Sequence, residues 1–203
     1  MTEPGDPLRV LVVIGTTRDG RYGSHIRSWV LASLRTRQGL DVDVLDLRDH
    51  PLPFFEGTPP ARAPREYAHD AVAAVGRKID AADAFVVVTG EYNHGYPAVL
   101  KNLLDWTFPE WQRKPVGFVG WGNVGGARAI EQLREVVIEM EMAPIRCAVH
   151  VLPTTMVAIR SSEDTEWPGD APVFADLVPK MDLLVADLTW WATTLREGRA
   201  ARP

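Results

Sequence analysis

The stretch Val86-Val87-Val88-Thr89-Gly90-Glu91-Tyr92-Asn93-His94-Gly95-Tyr96-Pro97, continued by Ala98-Val99-Leu100-Lys101-Asn102-Leu103-Leu104-Asp105-Trp106, decides the fold. A β-branched apolar run, a loop dense in polar and aromatic side chains, and then apolar residues at helical spacing describe a strand that ends at a site and resumes as a helix. Open α/β sheets place their ligands at such carboxyl ends of strands.

Working outward, Leu8 to Ile14 is almost continuously apolar, as expected of a central parallel strand covered on both faces. It leads through Gly15-Thr16-Thr17-Arg18-Asp19-Gly20-Arg21-Tyr22-Gly23-Ser24 into a helix with Ile26, Trp29, Val30 and Leu34 on one face, and Ser24 is expected as its N-cap. Asp41 to Leu47 alternates polar with apolar and reads as a strand nearer the edge. Pro51 to Pro64 holds five prolines and reads as loop. Tyr67 to Ala82 carries Val72, Val75 and Ile79 at helical spacing, and Ala84 to Thr89 is the third strand.

Val116 to Gly120 is the fourth strand, and Trp121 to Arg128 is a glycine-rich loop before a helix with Ile130, Leu133, Val137 and Met140 on one face. Ile145 to Leu152 is the fifth strand. The chain then reads as irregular to Pro172, before a last helix in which Leu177, Met181, Leu184, Leu188, Trp191 and Leu195 recur at steps of three and four. Strands alternating with helices predict one doubly wound α/β sheet in three layers, α/β/α. The dinucleotide fingerprint G-x-G-x-x-G is missing after the first strand, because Gly15, Gly20 and Gly23 have the wrong spacing. The remaining common order is the flavodoxin-like five-stranded 2-1-3-4-5.

With 203 residues, 46% of them hydrophobic, the chain suffices for one well-buried core and is short for two, so residues 1–203 read as one domain. A net charge of -5 without a dense Lys/Arg cluster argues against nucleic acid. Met1 to Pro7 reads as a loose end. No signal-peptide pattern and no membrane-length apolar run are present, which predicts a soluble cytoplasmic protein without a membrane partner. The single Cys147 reads as a small buried hydrophobe.

The three loops after strands one, three and four carry the chemistry. In the first, helix-start N–H groups, the hydroxyls of Thr16, Thr17 and Ser24 and the fork of Arg18 suit a phosphate monoester. In the second, Glu91, Tyr92, Asn93, His94, Gly95 and Tyr96 offer aromatic faces, amides and backbone to a flat heteroaromatic ring. His94 reads as a positioning group there; with Glu91 it lacks a nucleophile to serve. In the third, Gly122, Gly125 and Gly126 permit close backbone approach to ring carbonyls or nitrogens. Glu131, Glu135, Glu139 and Glu141 read as a solvated helix face, with no metal requirement.

With these loops in place, the chain resembles the NADPH-dependent FMN reductase family of flavodoxin-like flavoproteins, which includes flavin, quinone, azo-dye and chromate reductases. Gly15-Thr16-Thr17-Arg18 is similar to the family's G-S-x-R loop. Glu91-Tyr92-Asn93-His94-Gly95-Tyr96-Pro97 and Leu100-Lys101-Asn102-Leu103-Leu104-Asp105-Trp106 match P-E-Y-N-x-x-x-P and L-K-N-x-L-D-W, with Gly90 in place of the proline. Gly122 with Gly125-Gly126-Ala127-Arg128-Ala129 resembles the third element. The resemblance covers Leu8 to roughly Val151, and extends to a last helix bearing Trp190-Trp191.

The resemblance implies FMN held at its phosphate by Thr16, Arg18 and Ser24 with Thr17, Gly23, His25 and Ile26 as neighbouring backbone. It implies Glu91, Tyr92, Asn93, His94 and Gly95 at the ring, with Gly122, Gly125 and Gly126. NADPH or NADH is the implied co-substrate, and free flavin, a quinone or a similar small molecule the acceptor. Hydride transfer is the cofactor's own chemistry, so no catalytic side chain is required. A homodimer or homotetramer is implied, with part of the helix after Pro97 expected to pair between subunits. The segments Phe54 to Pro64 and Leu152 to Pro172 are expected to shape the acceptor pocket. The other readings weighed are a flavodoxin-like electron carrier, which a modest negative charge disfavours, and a binding module responsive to flavin state.

Overall fold

In the computed structural model, which describes residues 5–56 and 67–201, the five strands form one all-parallel sheet of order 2-1-3-4-5. They are β1 (Leu8–Ile14), β2 (Leu40–Asp46), β3 (Ala84–Gly90), β4 (Pro115–Trp121) and β5 (Ala143–Val151). Every residue of β3 and β4 is buried, which is why both read as unbroken apolar runs. At one edge, β2 alternates, with Asp41 and Asp43 outward; an edge strand bearing charges resists pairing with a second sheet.

The helices are α1 (Gly23–Arg35), α2 (Asp70–Ala81), α3 (Ala98–Trp106), α4 (Ala127–Glu139), α5 (Pro153–Ser161) and α6 (Val178–Ala200). Side chains from α1, α5 and α6 join Val10, Val12, Ile14, Val86, Val88, Val119 and Val149 on one face of the sheet. Those from α2, α3 and α4 join Leu11, Val13, Phe85, Val87, Val116 and Phe118 on the other. Alternate residues of one strand therefore feed opposite cores, and the α/β/α sandwich follows. Burying each such Val, Leu or Phe contributes about 1.5–3 kcal/mol.

Three sequence expectations change. The stretch after β5 is not irregular throughout: α5 occupies Pro153–Ser161, with proline in its first turn where a missing N–H costs nothing. It buries only Ile159, so it carries no apolar period to read. Ser24 is not the N-cap of α1. That place falls to Tyr22, whose own φ of -62° and ψ of -22° are already helical, so the helix begins at Gly23. Cys147 is only half-buried, its Sγ 3.6 Å from the Lys180 carbonyl oxygen, because β5 is an edge strand. In α3, Leu100, Leu103, Leu104 and Trp106 are buried within the chain, and Val99 is half-buried against the same core, as is Phe108 just beyond the helix. Residues 1–4 of the expected loose end and 57–64 of the expected Pro51–Pro64 loop lie outside the described residues; Pro51 to Glu56 has no regular structure.

Candidate functional site

The carboxyl ends of β1, β3 and β4 bring the three loops to one rim of the sheet. At the first, the Gly15 N–H donates to the Val88 carbonyl at 2.9 Å, fixing where the chain leaves β1. Arg21, buried, anchors the rest of the loop: its guanidinium grips Asp46, the last residue of β2, and also donates to the Thr16 carbonyl. Arg27 approaches the same carboxylate at 3.4 Å. Arg18, by contrast, is exposed, its guanidinium carbon 5.7 Å from the centroid of the Tyr92 ring. The loop's two arginines thus differ: Arg21 holds the loop, and Arg18 stays exposed beside Tyr92.

Among the described residues, four buried side-chain polar atoms lack a hydrogen-bond partner, and two of them, Thr16 Oγ1 and the Tyr92 hydroxyl, belong to these loops. Burial pushes the Tyr92 hydroxyl pKa up, while the charges of Arg18 and Arg21 oppose that shift, which places the phenol beside the first loop. The Thr16 oxygen lies against the start of α1: a Cβ on Gly23 would stand 2.6 Å from it. No side chain caps α1, and the first N–H groups of a helix have no intrahelical partner. The Ile26 N–H is already bonded to the Tyr22 carbonyl at 3.0 Å, and its side chain is core, so Gly23, Ser24 and His25 supply the open amides. Ser24 Oγ accepts from Arg21 Nε at 3.4 Å, and His25 Nδ1 lies 3.4 Å from Trp167 Nε1. Thr17 is half-buried.

In the second loop, the N–H and carbonyl groups of Tyr92 and Gly95 exchange hydrogen bonds at 2.8 and 3.0 Å. The two residues between, Asn93 (φ 50°) and His94 (φ 69°), are both left-handed, the signature of a type I′ turn. Their side chains stand exposed at its tip. His94 Nε2 lies 3.0 Å from Arg128 Nη1, where a guanidinium can only donate. The buried Glu91 carboxylate accepts from Arg128 Nε at 2.7 Å and from the Arg128 backbone N–H at 3.2 Å, in the first turn of α4. There the helix dipole favours it. Glu91 therefore locks the second loop to α4.

The third loop has positive φ at Gly122 (151°), Gly125 (65°) and Gly126 (75°). A Cβ on Gly125 would stand 2.6 Å from His150 Cβ, and one on Gly126 would stand 2.8 Å from the Trp121 nitrogen. These two glycines press the loop onto β4 and β5, leaving Asn123 and Val124 as its exposed tip. Asn102 and Trp106 of α3 hold the segment after β2: Asn102 Nδ2 and Trp106 Nε1 both donate to the Pro53 carbonyl at 2.8 Å, and Asn102 Oδ1 accepts from the Phe55 N–H at 2.8 Å. Between that segment and the first loop lies a cavity of about 290 Å³ lined by Thr17, Arg48, His50, Leu52 and Val99. After β5, Trp167 and Gly169 bond to α1 through Ser28 Oγ and Trp29 Nε1, each at 3.0 Å.

Sequence reading missed Arg21, Asp46, Trp121 and Arg128. Each acts through a partner on another element; Arg21, Trp121 and Arg128 stood inside the quoted loops, but nothing local marked what they would hold.

A parallel 2-1-3-4-5 sheet with a phosphate-suited loop after β1 and an aromatic loop after β3 defines a flavodoxin-like α/β protein. Residues 8–155 match the family model for NADPH-dependent FMN reductase, and the chain belongs to that family. It is 37% identical over 139 residues to an NAD(P)H-dependent FMN reductase of Schizosaccharomyces pombe, covering 67% of this chain and 70% of the relative. With the NAD(P)H-dependent FMN reductase LOT6 of Saccharomyces cerevisiae it shares 30% identity over 186 residues, covering 87% and 90%. In fold it resembles the flavoenzyme NAD(P)H:(acceptor) oxidoreductase FerB of Paracoccus denitrificans, with a TM-score of 0.69 at 20% identity over 90% of this chain and 97% of that one. The activity class is the family's: FMN-dependent NAD(P)H oxidoreductase.

Proposed function

We propose that the rim formed by the three loops binds FMN and that the enzyme passes reducing equivalents from NAD(P)H to free flavin, a quinone or a similar small acceptor. The single observation that carries the site assignment is the buried, unpartnered Thr16 Oγ1 against the uncapped start of α1, in the loop whose Arg18 stands over the ring of Tyr92, itself bearing an unpartnered hydroxyl. A buried hydroxyl left unbonded costs about 1–3 kcal/mol, a cost that an anionic ligand in reach of Thr16 Oγ1 would remove. The residues present thus fit the phosphate end of FMN.

In this reading Thr16, Thr17, Arg18 and the amides of Gly23, Ser24 and His25 hold the phosphate, with Ile26 fixing the first turn of α1 in the core. Tyr92, Asn93, His94 and Gly95 border the ring with the backbone of Gly122; Glu91, Gly125 and Gly126 hold those loops in place. When bound, the flavin supplies the hydride chemistry, and the protein orients the partners and excludes water. The cavity beside Thr17, between Arg48, His50 and the Pro51–Glu56 segment, is the place this reading gives to the second substrate.

We read residues 1–203 as one cytoplasmic domain that assembles as a homodimer or homotetramer. The resemblance supports this, as do the exposed Leu183, Trp190 and Trp191 of α6. Among the described residues no helix is long and apolar enough to cross a membrane, and no three side chains are grouped to hold a metal ion. Sedimentation showing only monomer at micromolar concentration contradicts the assembly.

Thr16→Val tests the site. Removing the unbonded hydroxyl at constant shape should leave the apo protein equally or more stable, by about 1 kcal/mol, while FMN affinity falls about tenfold. Unchanged FMN affinity would overturn the phosphate assignment.

A further inference from the structure

Trp121 ends β4 and is 4% exposed, and its indole lies against the end of β3 and the start of α1. A Cβ on Gly90 would fall 3.0 Å from its Cε2 and 3.1 Å from both Cζ2 and Nε1. A Cβ on Gly23 would fall 3.3 Å from its Cη2, on the same side as the 2.6 Å approach to Thr16 Oγ1. Neither glycine has a left-handed φ, so the backbone does not require glycine at either place. What is missing there is room: the indole takes it at Gly90, and at Gly23 the Thr16 hydroxyl takes it first with the indole beside it. The main chain of Trp121 adds a third tie: its carbonyl accepts the Glu91 N–H at 2.9 Å, and its nitrogen is the atom that a side chain on Gly126 would strike.

We infer that Trp121 is a positioning residue of the flavin site, its indole spacing the Gly90–Glu91 junction from the start of α1 and closing the flank of the Thr16 hydroxyl. This rests on the FMN reading of the rim. The argument is mechanical. Gly90 is paired in register with Trp121 across β3 and β4, so the strands hold the two main chains at fixed separation. A methyl group added at position 90 then has one soft neighbour, the indole, and displaces it toward Gly23 and Thr16. A change made beneath the ring-binding loop is thereby felt at the phosphate-binding one.

The test is a cycle of four proteins: wild type, Gly90→Ala, Trp121→Leu and the double variant. Dissociation constants for FMN and for riboflavin, which lacks the phosphate, are read by flavin fluorescence. Thermal melts of the apo forms establish that each is folded at the binding temperature. Gly90→Ala should weaken FMN about tenfold or more through overpacking and change riboflavin far less. In the Trp121→Leu background, where the indole is gone, the same substitution should change FMN affinity by no more than about twofold, a departure from additivity that marks contact between the sites. Wild-type FMN affinity in Gly90→Ala, the same loss in both backgrounds, or equal losses for FMN and riboflavin would each overturn the inference. If Gly90→Ala fails to fold, the inference stands only when the double variant folds and binds FMN as Trp121→Leu does. A wild-type chain that binds no FMN overturns the site reading and this inference with it, a result distinct from the other three.

Discussion

Arg21 and Asp46, 25 positions apart, form a two-pronged ion pair with Nη1–Oδ1 at 2.8 Å and Nη2–Oδ2 at 2.5 Å, their side chains 5% and 2% exposed. The pair joins the loop after β1 to the end of β2, and Arg21 also donates to the Thr16 carbonyl, so the placement of the unbonded Thr16 hydroxyl depends on a contact outside the site.

Breaking this pair from one side strands a charge. Arg21→Met should cost about 3–5 kcal/mol, because the buried Asp46 carboxylate then keeps only Arg27 at 3.4 Å and the Arg48 backbone N–H at 3.0 Å. In a chain of this size that lowers Tm by about 10 °C. Arg21→Met combined with Asp46→Leu should recover most of the loss, since no charge is then left buried. Calorimetry on the three variants checks this, and a single variant as stable as wild type would contradict it.

Arg18→Ala should behave in the opposite way. The side chain is exposed and its contact is the face of Tyr92, so apo stability should be unchanged within about 0.5 kcal/mol. FMN affinity should fall about tenfold or more through loss of a charge-assisted contact. Equal FMN binding by the variant would mean that Arg18 does not reach the phosphate.

Lys114 makes stability depend on pH at the far end of the sheet. It is buried, its Nζ donates to the carbonyls of Ile79 and Asp80 at 3.0 and 2.8 Å, and burial lowers its pKa to about 8. The unfolded chain keeps the ordinary value near 10.4. Between those values the unfolded state binds the extra proton, so this contribution to stability rises with pH, by about 3 kcal/mol across the window. The difference in urea-unfolding free energy between wild type and Lys114→Met should move in favour of wild type from pH 8 to pH 10. A difference independent of pH would contradict the assignment.

The central strands were legible because burial on both faces leaves an unbroken apolar run, as in Val86–Val88, and the amphipathic helices because one face meets the sheet. The helix at Pro153–Ser161 was not legible, since it buries only Ile159 and so has no period. At the site, local chemistry pointed to Thr16, Arg18 and Tyr92. It could not divide Arg18 from Arg21, because that division is made by Asp46 on another strand. Nor could it tell that Glu91 is occupied by Arg128, or that Gly125 and Gly126 owe their identity to the packing of β4 and β5. In each case the deciding partner lies on a different element, and spacing along the chain carries no record of it.

The most direct measurement is an anaerobic titration of the FMN-loaded protein with NADPH and then NADH, following the visible flavin band. Bleaching of bound flavin by at least one donor, with recovery on adding free flavin or a quinone, is the predicted result. A bound flavin that neither donor reduces would contradict the account.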